Sequence, residues 1–384
     1  MKILYDHQAF TMQYYGGVSK CFCELISNLP ADVVSTIGIE ESNNIHLQTS
    51  GICASLKPVS MDINKFVNKY HFKGRGRLYN WANRFIPNLR TTENINKKRS
   101  IQLLKEGDFD VFHPTFFDDY FLHHLNGKPF VLTIHDMMPE LFPEYFRKND
   151  MQILAKRKLV KKAAAIIAVS EQTKKDIIDI LKVPEKKIHV IYHGGPKIET
   201  FERKAPYSFP YFLYVGQRKA YKNFNQLLKD FSAFILKYNK VKLICTGPSF
   251  SIAEKELILK YGLVENVLHE HATDDYMKIL YANAEAFIYP SLYEGFGMPI
   301  LEAFAYGCPV ILNRKSCFPE IAGDAAIYFD SNGYDSNLAE ILISFYTMSD
   351  SERQTLIQNG YQRLALFSWP DSAYKLSKLY HSIF

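Results

Sequence analysis

Short apolar runs alternate along the chain with segments in which apolar side chains recur at helical spacing. The apolar runs predict buried strands at residues 2–5, 33–39, 109–113, 130–135, 164–169, 188–192, 211–215, 241–246, 266–269, 286–289 and 310–312. Between them, stretches such as residues 224–235 place their apolar side chains on one face of a helix. This alternation predicts an α/β fold in which helices cover doubly wound parallel sheets.

The predicted elements fall into two groups that are separated by a polar stretch. Residues 196–210 contain prolines and lack periodicity, which is typical of a linker. The chain has 384 residues, more than one core usually holds, so we expect two domains. We predict a first Rossmann-like domain at residues 1–200, a second at 201–368 and a terminal helix at 369–384. Strand ends of both domains are expected to face one cleft.

Composition places the chain among soluble globular proteins, with 47% hydrophobic and 22% charged residues. No apolar run is long enough to span a bilayer, and Asp6, His7 and Gln8 interrupt the first apolar residues, so no signal peptide is expected. We therefore predict a cytoplasmic protein, at the inner face of the membrane if it binds one. The six cysteines lack paired ligand spacing, and neither a disulfide framework nor a zinc site is expected.

The net charge of +6 is unevenly distributed, because residues 65–99 contain many basic side chains and one acid, Glu93. Aromatic residues are interleaved with these cations, and the segment is predicted to form a helical hairpin or lid. Such a surface suits peripheral contact with an anionic membrane. Nucleic acid is the competing partner, although none is expected, and a solvated basic loop is the third interpretation.

The stretch at residues 291–309, SLYEGFGMPILEAFAYGCP, carries the strongest chemical signal. A helix is predicted to begin at Pro299, and the free amide groups at its start would attract an anion such as a phosphate. Gly295 and Gly297 allow backbone to come close to a ligand. Glu294 lies in the loop and Glu302 points away from the packed helix face, so the two carboxylates can bind the hydroxyls of one elongated ligand.

Two other strand ends carry candidate site residues. The strand at 2–5 is followed by Gly16 and Gly17 and then a helix, the layout of a phosphate site without the full glycine pattern. A plain tight turn explains the same glycines. The strand at 130–135 ends at His135, and Asp136 follows it, at the carboxyl end where functional residues of parallel sheets cluster; a structural histidine is the alternative.

A cationic loop follows the first strand of the second domain. Arg218 and Lys222 lie after Gly216 and just before a helix that Asn223 is predicted to cap. Two cations at this position can neutralise a diphosphate, with a planar fork from Arg218 and a point charge from Lys222. The alternative is a pair of solvated loop charges.

The stretch at 291–309 resembles the Glu-x7-Glu signature of the retaining glycosyltransferases of family 4, which have the GT-B fold. The string TIHDMMPE around His135 resembles the loop of that family that faces the donor sugar. Gly16 and Gly17 resemble its glycine loop beside the donor's phosphates and sugar. The resemblance covers nearly all of the chain and is strongest in the second domain, whereas residues 65–100 match no motif of the family.

Further positions of the second domain share this resemblance. Gly216, Arg218, Lys222 and Asn223 match the family's pattern of an arginine and a lysine after a glycine. Residues 319 and 320, Pro-Glu, resemble a segment that closes the nucleotide pocket. The family also implies that the terminal helix returns to the first domain.

The resemblance implies retaining transfer of a hexose-type sugar from a nucleotide diphosphate sugar to a hydroxyl of a glycan or lipid-linked acceptor, in cell-surface polysaccharide synthesis. Glu302 would bind the ribose, Glu294 the sugar hydroxyls, and Arg218 with Lys222 the diphosphate. The acceptor would enter beside His135. The backbone amides at the donor's sugar and phosphate end would be those of Gly295, Phe296, Gly297 and Met298.

The resemblance implies no cofactor beyond the donor substrate and no metal. Asp108 and Asp110 form an Asp-x-Asp that a turn between helix and strand explains. Three other functions remain open from the sequence: a sugar-nucleotide epimerase of the same fold, a sugar-binding protein without catalysis, and a nucleic-acid-binding protein. A phosphorylase of related fold is disfavoured by the length of the chain.

Overall fold

The computed structural model describes residues 1–61, 78, 90–146, 151–199, 201–202, 204–218 and 220–384. Parallel strands of its first half run in the orders β2-β1-β3 and β4-β5-β6, and a bridge between Phe112 and Phe130 joins the two sets. These strands are β1 (Lys2–Tyr5), β2 (Val34–Ile37), β3 (Val111–His113), β4 (Val131–Ile134), β5 (Ala165–Ala168) and β6 (Ile188–Val190). We call the part of the chain built on β1–β6 the first lobe.

Helices of the first lobe lie between these strands, as an alternating pattern requires. They are α1 (Gln8–Met12), α2 (Gly17–Ser27), α3 (Ile45–Ser50), α4 (Thr92–Glu106), α5 (Met138–Leu141), α6 (Met151–Lys162) and α7 (Glu171–Leu181). Side chains cap three of them: Asn44 caps α3, Thr91 caps α4, and Ser170 caps α7 as predicted.

The second half of the chain forms one parallel sheet of order β12-β11-β10-β7-β8-β9. Its strands are β7 (Tyr211–Tyr214), β8 (Lys242–Cys245), β9 (Val267–His269), β10 (Phe287–Tyr289), β11 (Val310–Asn313) and β12 (Ala326–Phe329). The central strands β7, β10 and β11 are buried along their whole length, which explains their continuous apolar sequences. We call the part built on β7–β12 the second lobe.

Helices cover this sheet on both faces, with one apolar core on each side. They are α8 (Phe224–Ile235), α9 (Ile252–Lys260), α10 (Asp274–Asn283), α11 (Met298–Ala305), α12 (Phe318–Ala322), α13 (Leu338–Tyr346), α14 (Asp350–Leu364) and α15 (Trp369–Ile383). None of the helices within the described ranges is long and apolar enough to cross a membrane.

The terminal helix α15 leaves the second lobe and packs on the first. Trp369, Leu376 and Tyr380 are part of the same buried cluster as strand β1. The hydroxyl of Tyr380 lies 2.7 Å from that of Tyr5 and 2.6 Å from Nδ1 of His113. The predicted α/β fold, with two Rossmann-like lobes and a returning terminal helix, is confirmed.

One strand was not predicted, and the Pro-Glu segment at residues 319 and 320 lies in the short helix α12, which begins at Phe318. The missed strand is β12, at the edge of the sheet, where only Phe329 is fully buried. Between β4 and β5 the chain forms a 3-10 turn at Pro143–Tyr145, and helix α6 begins at Met151.

The basic segment that carries the membrane and lid predictions falls mostly outside the described residues, since 62–77 and 79–89 are not described. Its described end lies on helix α4, where Lys97 pairs with Asp118 at 2.9 Å. Both partners are on the surface, so this pair adds little stability.

Candidate active site

The loop between strand β10 and helix α11 carries the Glu294 motif, and its backbone needs glycine. Gly297 has a φ of +94° and occupies the cap position of α11, with a proline in the first turn. Ile300, Leu301 and Phe304 are buried beneath the helix, as predicted. The helix starts at Met298, one residue earlier than predicted. The N–H of Met298, the first helical residue, has no acceptor within the helix. Pro299 has no N–H, and the N–H of Ile300 donates to the Gly297 carbonyl at 2.9 Å.

Two residues after strand β11 hold this loop in place. Ser316 donates a hydrogen bond of 2.6 Å to the carbonyl of Glu294, whose N–H donates back to the serine hydroxyl at 3.2 Å. Cys317 donates to the carbonyl of Phe296 at 3.1 Å. Ser316 has a φ of +52°, an uncommon conformation for this residue type. Sequence reasoning missed both residues, because nothing in their spacing marks them as partners of the loop.

Glu294 and Lys222, predicted to bind different parts of one ligand, lie against each other. The Lys222 ammonium is hydrogen-bonded to the Glu294 carboxylate. Only 17% of the lysine side chain and 11% of the glutamate side chain are exposed. The rings of Tyr221 and Tyr289 each lie 5.5 Å from the ammonium. Because the lysine is partly desolvated, its ammonium attracts an anion more strongly than a lysine exposed to solvent would.

The second predicted carboxylate, Glu302, is also paired. Lys20 lies 3.5 Å away, and the Tyr281 hydroxyl donates to the carboxylate at 3.4 Å. Both distances are long, and about a quarter of the Glu302 side chain is exposed, so its oxygens can still accept hydrogen bonds from hydroxyl groups. Lys20 was not predicted as a site residue, although it follows the glycine pair by one helical turn.

The glycine pair starts helix α2 and faces the second lobe. A side chain at Gly16 would meet the Gln13 amide at 2.5 Å, and that amide oxygen accepts the Ser19 N–H at 3.0 Å. At Gly17 an added methyl group would meet nothing within 4 Å. The hydroxyl of Tyr15 donates to Asp274 of the second lobe at 2.5 Å. The glycine turn is therefore placed where both lobes meet.

His135 follows strand β4, as predicted, with a neutral imidazole. Burial lowers the pKa of His135 to about 4. Its Nε2 is buried, and the described residues offer this atom no hydrogen-bond partner. The next residue, Asp136, accepts the Met138 N–H at 3.0 Å and so shapes the turn. An imidazole that is uncharged at neutral pH can accept a hydrogen bond from a substrate hydroxyl.

A buried ion pair fastens the His135 loop. Lys156 lies 2.9 Å from Glu140, and their side chains are 1% and 2% exposed. The same ammonium donates to the carbonyl of Asp136 at 3.2 Å. Neither residue was predicted as part of the site, since a buried pair across a turn and a helix has no spacing signature.

The two candidate loops touch. An added methyl group at Gly295 would lie 1.8 Å from the carbonyl oxygen of His135. Ser170 donates to the Gly295 carbonyl at 2.6 Å, and Thr173 does so at 3.2 Å. The Glu320 carboxylate, predicted to close a nucleotide pocket, accepts the first amide groups of α7 at 2.6 and 3.1 Å. The structure therefore brings the His135 loop and the Glu294 loop together across the lobe boundary.

Arg218 is not part of this group in the structure. Its guanidinium lies 2.8 Å from Glu254, donates to the carbonyls of Thr246 and Pro248, and stacks on Phe250. Only 2% of its side chain is exposed, so most of its donors are used within the second lobe. The diphosphate role assigned to Arg218 would require the guanidinium to leave these partners.

Two neighbours of Arg218 complete the loop after β7. Gly216 has a φ of +110°, and a side chain at Gly247 would lie 2.5 Å from its carbonyl oxygen. Asn223 stands at the cap position of α8 but makes no capping hydrogen bond, which corrects the prediction. The backbone of Asn223 is left-handed, and its side-chain amide donates to the Ser331 hydroxyl at 3.1 Å instead of facing the start of α8.

Family models match both halves of the chain. The model described as Glycosyl transferases group 1 matches residues 197–363, and that described as Glycosyltransferase Family 4 matches residues 63–194. The chain belongs to the family 4 glycosyltransferases. All of the candidate residues of the second lobe lie inside the first of these ranges, and His135 lies inside the second.

Relatives of this glycosyltransferase include enzymes named as mannosyltransferases. O-antigen chain mannosyltransferase B of Escherichia coli is 29% identical over 309 residues, covering 73% of the chain and 78% of the relative. O-antigen chain mannosyltransferase RfbU of Salmonella typhimurium is 32% identical over 200 residues, and the match spans 51% of the chain and about half, 55%, of that relative.

Solved structures share the GT-B fold at low identity. Sucrose-phosphate synthase from Thermosynechococcus elongatus has a TM-score of 0.71 and 19% identity, with 100% of this chain and 99% of that chain covered. Anabaena HepE in complex with UDP and glucose has a TM-score of 0.71 and 16% identity, with both chains covered completely, 100% each. These likenesses establish the fold of the glycosyltransferase.

Proposed function

We propose that this glycosyltransferase moves a hexose, mannose in the first instance, from a nucleotide diphosphate sugar to a hydroxyl of a glycan or lipid-linked acceptor. The observation that carries the proposal is the Lys222–Glu294 pair beside the amide groups that start helix α11. A cation and free amides suit a diphosphate, while a carboxylate suits sugar hydroxyls. The names of the mannosyltransferase relatives support the choice of sugar and a place in cell-surface polysaccharide synthesis.

Donor binding in this proposal separates the paired side chains. Lys222 turns to the diphosphate, and Glu294 accepts hydrogen bonds from the sugar. The amides of Gly295, Phe296, Gly297 and Met298 face the sugar and phosphate end. Glu302, loosely held by Lys20, binds the ribose hydroxyls. Gly16 and Gly17 let the first lobe approach the phosphates without side chains in the way.

The reaction breaks the bond between the anomeric carbon and the diphosphate oxygen and forms a bond to the acceptor oxygen. Negative charge develops on the leaving diphosphate, so a fixed ammonium and amide groups lower the barrier, each by about 3 kcal/mol in comparable sites. The acceptor proton passes to the departing phosphate, and the new bond forms on the face that the phosphate leaves. This path retains the anomeric configuration and requires neither a metal nor a cofactor besides the donor.

The first lobe supplies the acceptor side. His135 carries a neutral imidazole with a buried, unsatisfied Nε2 among the described residues. Because the His135 loop contacts Gly295, an acceptor hydroxyl bound there would lie close to the anomeric carbon. The buried Lys156–Glu140 pair is a positioning element for this loop.

A nucleotide-sugar panel tests the proposal directly. Thermal unfolding of the full chain is measured with GDP-mannose, UDP-glucose, UDP-N-acetylglucosamine and the free nucleotides. A ligand present at about 100 times its Kd stabilises the native state by about 2.7 kcal/mol and raises the Tm by several degrees. We expect GDP-mannose to give the largest shift. A panel without any shift would contradict donor binding.

A product assay then separates transfer from epimerisation, the alternative reaction on this fold. A transferase consumes the donor sugar only when an acceptor is present, apart from slow hydrolysis. An epimerase converts the sugar nucleotide without an acceptor. The stereochemistry of the product, read by NMR coupling at the anomeric proton, tests retention.

A lipid-linked acceptor implies contact with a membrane, and we propose that residues 65–99 provide it. Lys98 and Arg99, at the described end of the segment on α4, can add attraction to an anionic surface of about 1 kcal/mol each. Neutralising Lys97, Lys98 and Arg99 should weaken binding to phosphatidylglycerol vesicles and leave transfer to a soluble acceptor unchanged. Equal vesicle binding by the variant would contradict this role.

A further inference from the structure

A thiol and two imidazoles from three separate elements converge beside the cleft. Cys21 lies on helix α2, and His135 and His193 follow strands β4 and β6. The Cys21 sulfur is 3.3 Å from Nδ1 of His193. One donor atom from each of the three residues lies within 4.8 Å of the other two. The three positions are far apart in the sequence, so their spacing gave no sign of a cluster.

The protonation of these groups suits metal coordination. Burial lowers the pKa of His135 to about 4 and the pKa of His193 well below its usual value, so both imidazoles are neutral. Nε2 of His135 is buried and has no hydrogen-bond partner among the described residues. Because buried polar atoms nearly always have a partner, this atom is suited to bind a ligand. Burial raises the pKa of the Cys21 thiol, so an incoming cation must displace its proton.

We propose that Cys21, His135 and His193 form a binding site for Zn²⁺ or a divalent cation of similar softness. One thiolate and two imidazoles are a donor set that zinc prefers, and three protein ligands leave a fourth position open. The Cys21–His193 distance already suits two ligands of one ion, whereas bond lengths of about 2.0 Å to nitrogen and about 2.3 Å to sulfur require the donor atoms to lie closer together than the 4.8 Å that bounds the whole cluster. Binding releases the Cys21 proton to solvent.

Three aromatic rings pack against the two imidazoles of the cluster. The His193 ring lies 4.8 Å from the ring of Phe296 and 5.7 Å from that of Trp369, and the His135 ring lies 6.0 Å from that of Phe22. An apolar shell strengthens the attraction between a cation and a thiolate. Phe296 belongs to the Glu294 loop, so the site is complete only when the two lobes are in contact.

The expected consequence of occupancy is inhibition, and this consequence rests on the proposed role of His135. A cation bound to the imidazole withdraws it from the acceptor. The bound cation would therefore be inhibitory and not catalytic, because transfer proceeds without the cation and stops when it binds.

Co²⁺ is the probe that tests the site, because its absorption reports the ligands. The full chain is treated with a chelator, freed of it, and titrated with Co²⁺ in the absence of any nucleotide sugar. We expect one equivalent to produce the near-ultraviolet band of a cobalt–thiolate bond, and Zn²⁺ to displace the cobalt. Cys21→Ser should abolish the band and weaken Zn²⁺ binding at least about 100-fold, since even residues outside the coordination shell contribute 10- to 100-fold.

Cys23→Ser is the matched control, because Cys23 is a second buried thiol on the same helix and is not in the cluster. This variant should keep the cobalt band and the affinity of the wild type. His193→Gln should bind Co²⁺ at least about 100-fold more weakly, and circular dichroism melting verifies that each variant is folded. A cobalt spectrum without a thiolate band, or one that persists in Cys21→Ser, would overturn the proposal. The titration needs no transfer reaction, so its outcome is separate from that of the nucleotide-sugar panel.

Discussion

The hydroxyl of Ser170 donates a hydrogen bond of 2.6 Å to the carbonyl oxygen of Gly295. The same hydroxyl accepts the N–H of Thr173 at 3.0 Å and so caps helix α7. One side chain thus fixes the start of a first-lobe helix and a loop of the second lobe that carries the candidate donor site. Glu320 reinforces this contact from the second lobe by accepting the first two amide groups of α7, those of Glu171 and Gln172.

Gly295→Ala should separate the lobes. The added methyl group would lie 1.8 Å from the His135 carbonyl, a contact that only backbone movement can relieve. We expect kcat/KM for transfer to fall at least about 100-fold, because misplacement by about 1 Å costs that much in a positioned site. Small-angle scattering should show a larger radius of gyration.

Gly262→Ala is the control for this variant. Gly262 has a positive φ of +69°, unlike Gly295, and an added methyl group there meets nothing within 4 Å. It should lose about 1 kcal/mol of stability and keep the wild-type rate. Equal rates for both variants would show that the contact with His135 does not govern transfer.

Lys222→Ala should reduce transfer about 100- to 1000-fold, because it removes the ammonium proposed to stabilise the leaving diphosphate. The loss should be found in kcat/KM, measured with a saturating acceptor. Lys222→Gln keeps a hydrogen-bond donor for Glu294 and helps to separate loss of charge from loss of fold. Lys229→Ala, on the exposed side of α8, should behave as the wild type. Near-normal turnover by Lys222→Ala would remove the assignment to the diphosphate.

Arg218→Gln should lower the free energy of unfolding by about 3 kcal/mol, because it leaves the Glu254 carboxylate without its buried partner. Glu254→Gln should cost less, since the arginine keeps the carbonyls of Thr246 and Pro248. Urea denaturation measures both values. If Arg218→Gln has the wild-type midpoint but binds the donor weakly, the guanidinium serves the ligand rather than the fold.

Stability should fall as the pH decreases from about 6.5 to about 4. Burial lowers the pKa of His113 to about 3 and that of His135 to about 4, below the ordinary value of 6.5. In that window the unfolded chain binds protons that the folded chain excludes, so acid favours unfolding. The stabilisation from these neutral imidazoles is complete above pH 6.5 and is lost as the pH falls toward the folded values.

His113→Gln should make the unfolding free energy less dependent on pH. The slope of that free energy against pH should fall by the equivalent of about one proton taken up on unfolding. The amide can replace the contacts of the ring with the hydroxyls of Tyr380 and Thr133. His123→Gln, at an exposed position, should leave the slope unchanged. An unchanged slope in His113→Gln would assign the acid sensitivity to other groups.

Local sequence predicted the strands and helices well, because buried parallel strands are continuous apolar runs and helices keep their period. Strand β12 was missed although residues 326–329 are all apolar, because so short an apolar run does not by itself distinguish a strand from a buried helical turn. Motif resemblance predicted site roles for Glu294, Glu302, Lys222 and His135, and the structure places these residues along the contact between the lobes. It also assigned Arg218 to a ligand, whereas the structure shows a guanidinium engaged by its own lobe.

The supporting residues of the site could not be predicted in the same way. Lys20, Ser316 and Lys156 contact their partners across turns and between lobes, so no fixed spacing connects them. Their residue types are also common on surfaces. Such contacts depend on how separate elements pack, which a pattern along one segment does not contain.

The hydroxyl pair of Tyr5 and Tyr380 joins residues 375 positions apart. The first strand of the chain thus receives its last neighbour only after the second lobe has been synthesised. During translation the first lobe therefore remains incompletely packed, and the apolar groove beside β1 stays exposed until α15 has been synthesised. A nascent chain is therefore expected to need chaperones that cover this groove until α15 has emerged from the ribosome, and termination before α15 would leave the groove exposed.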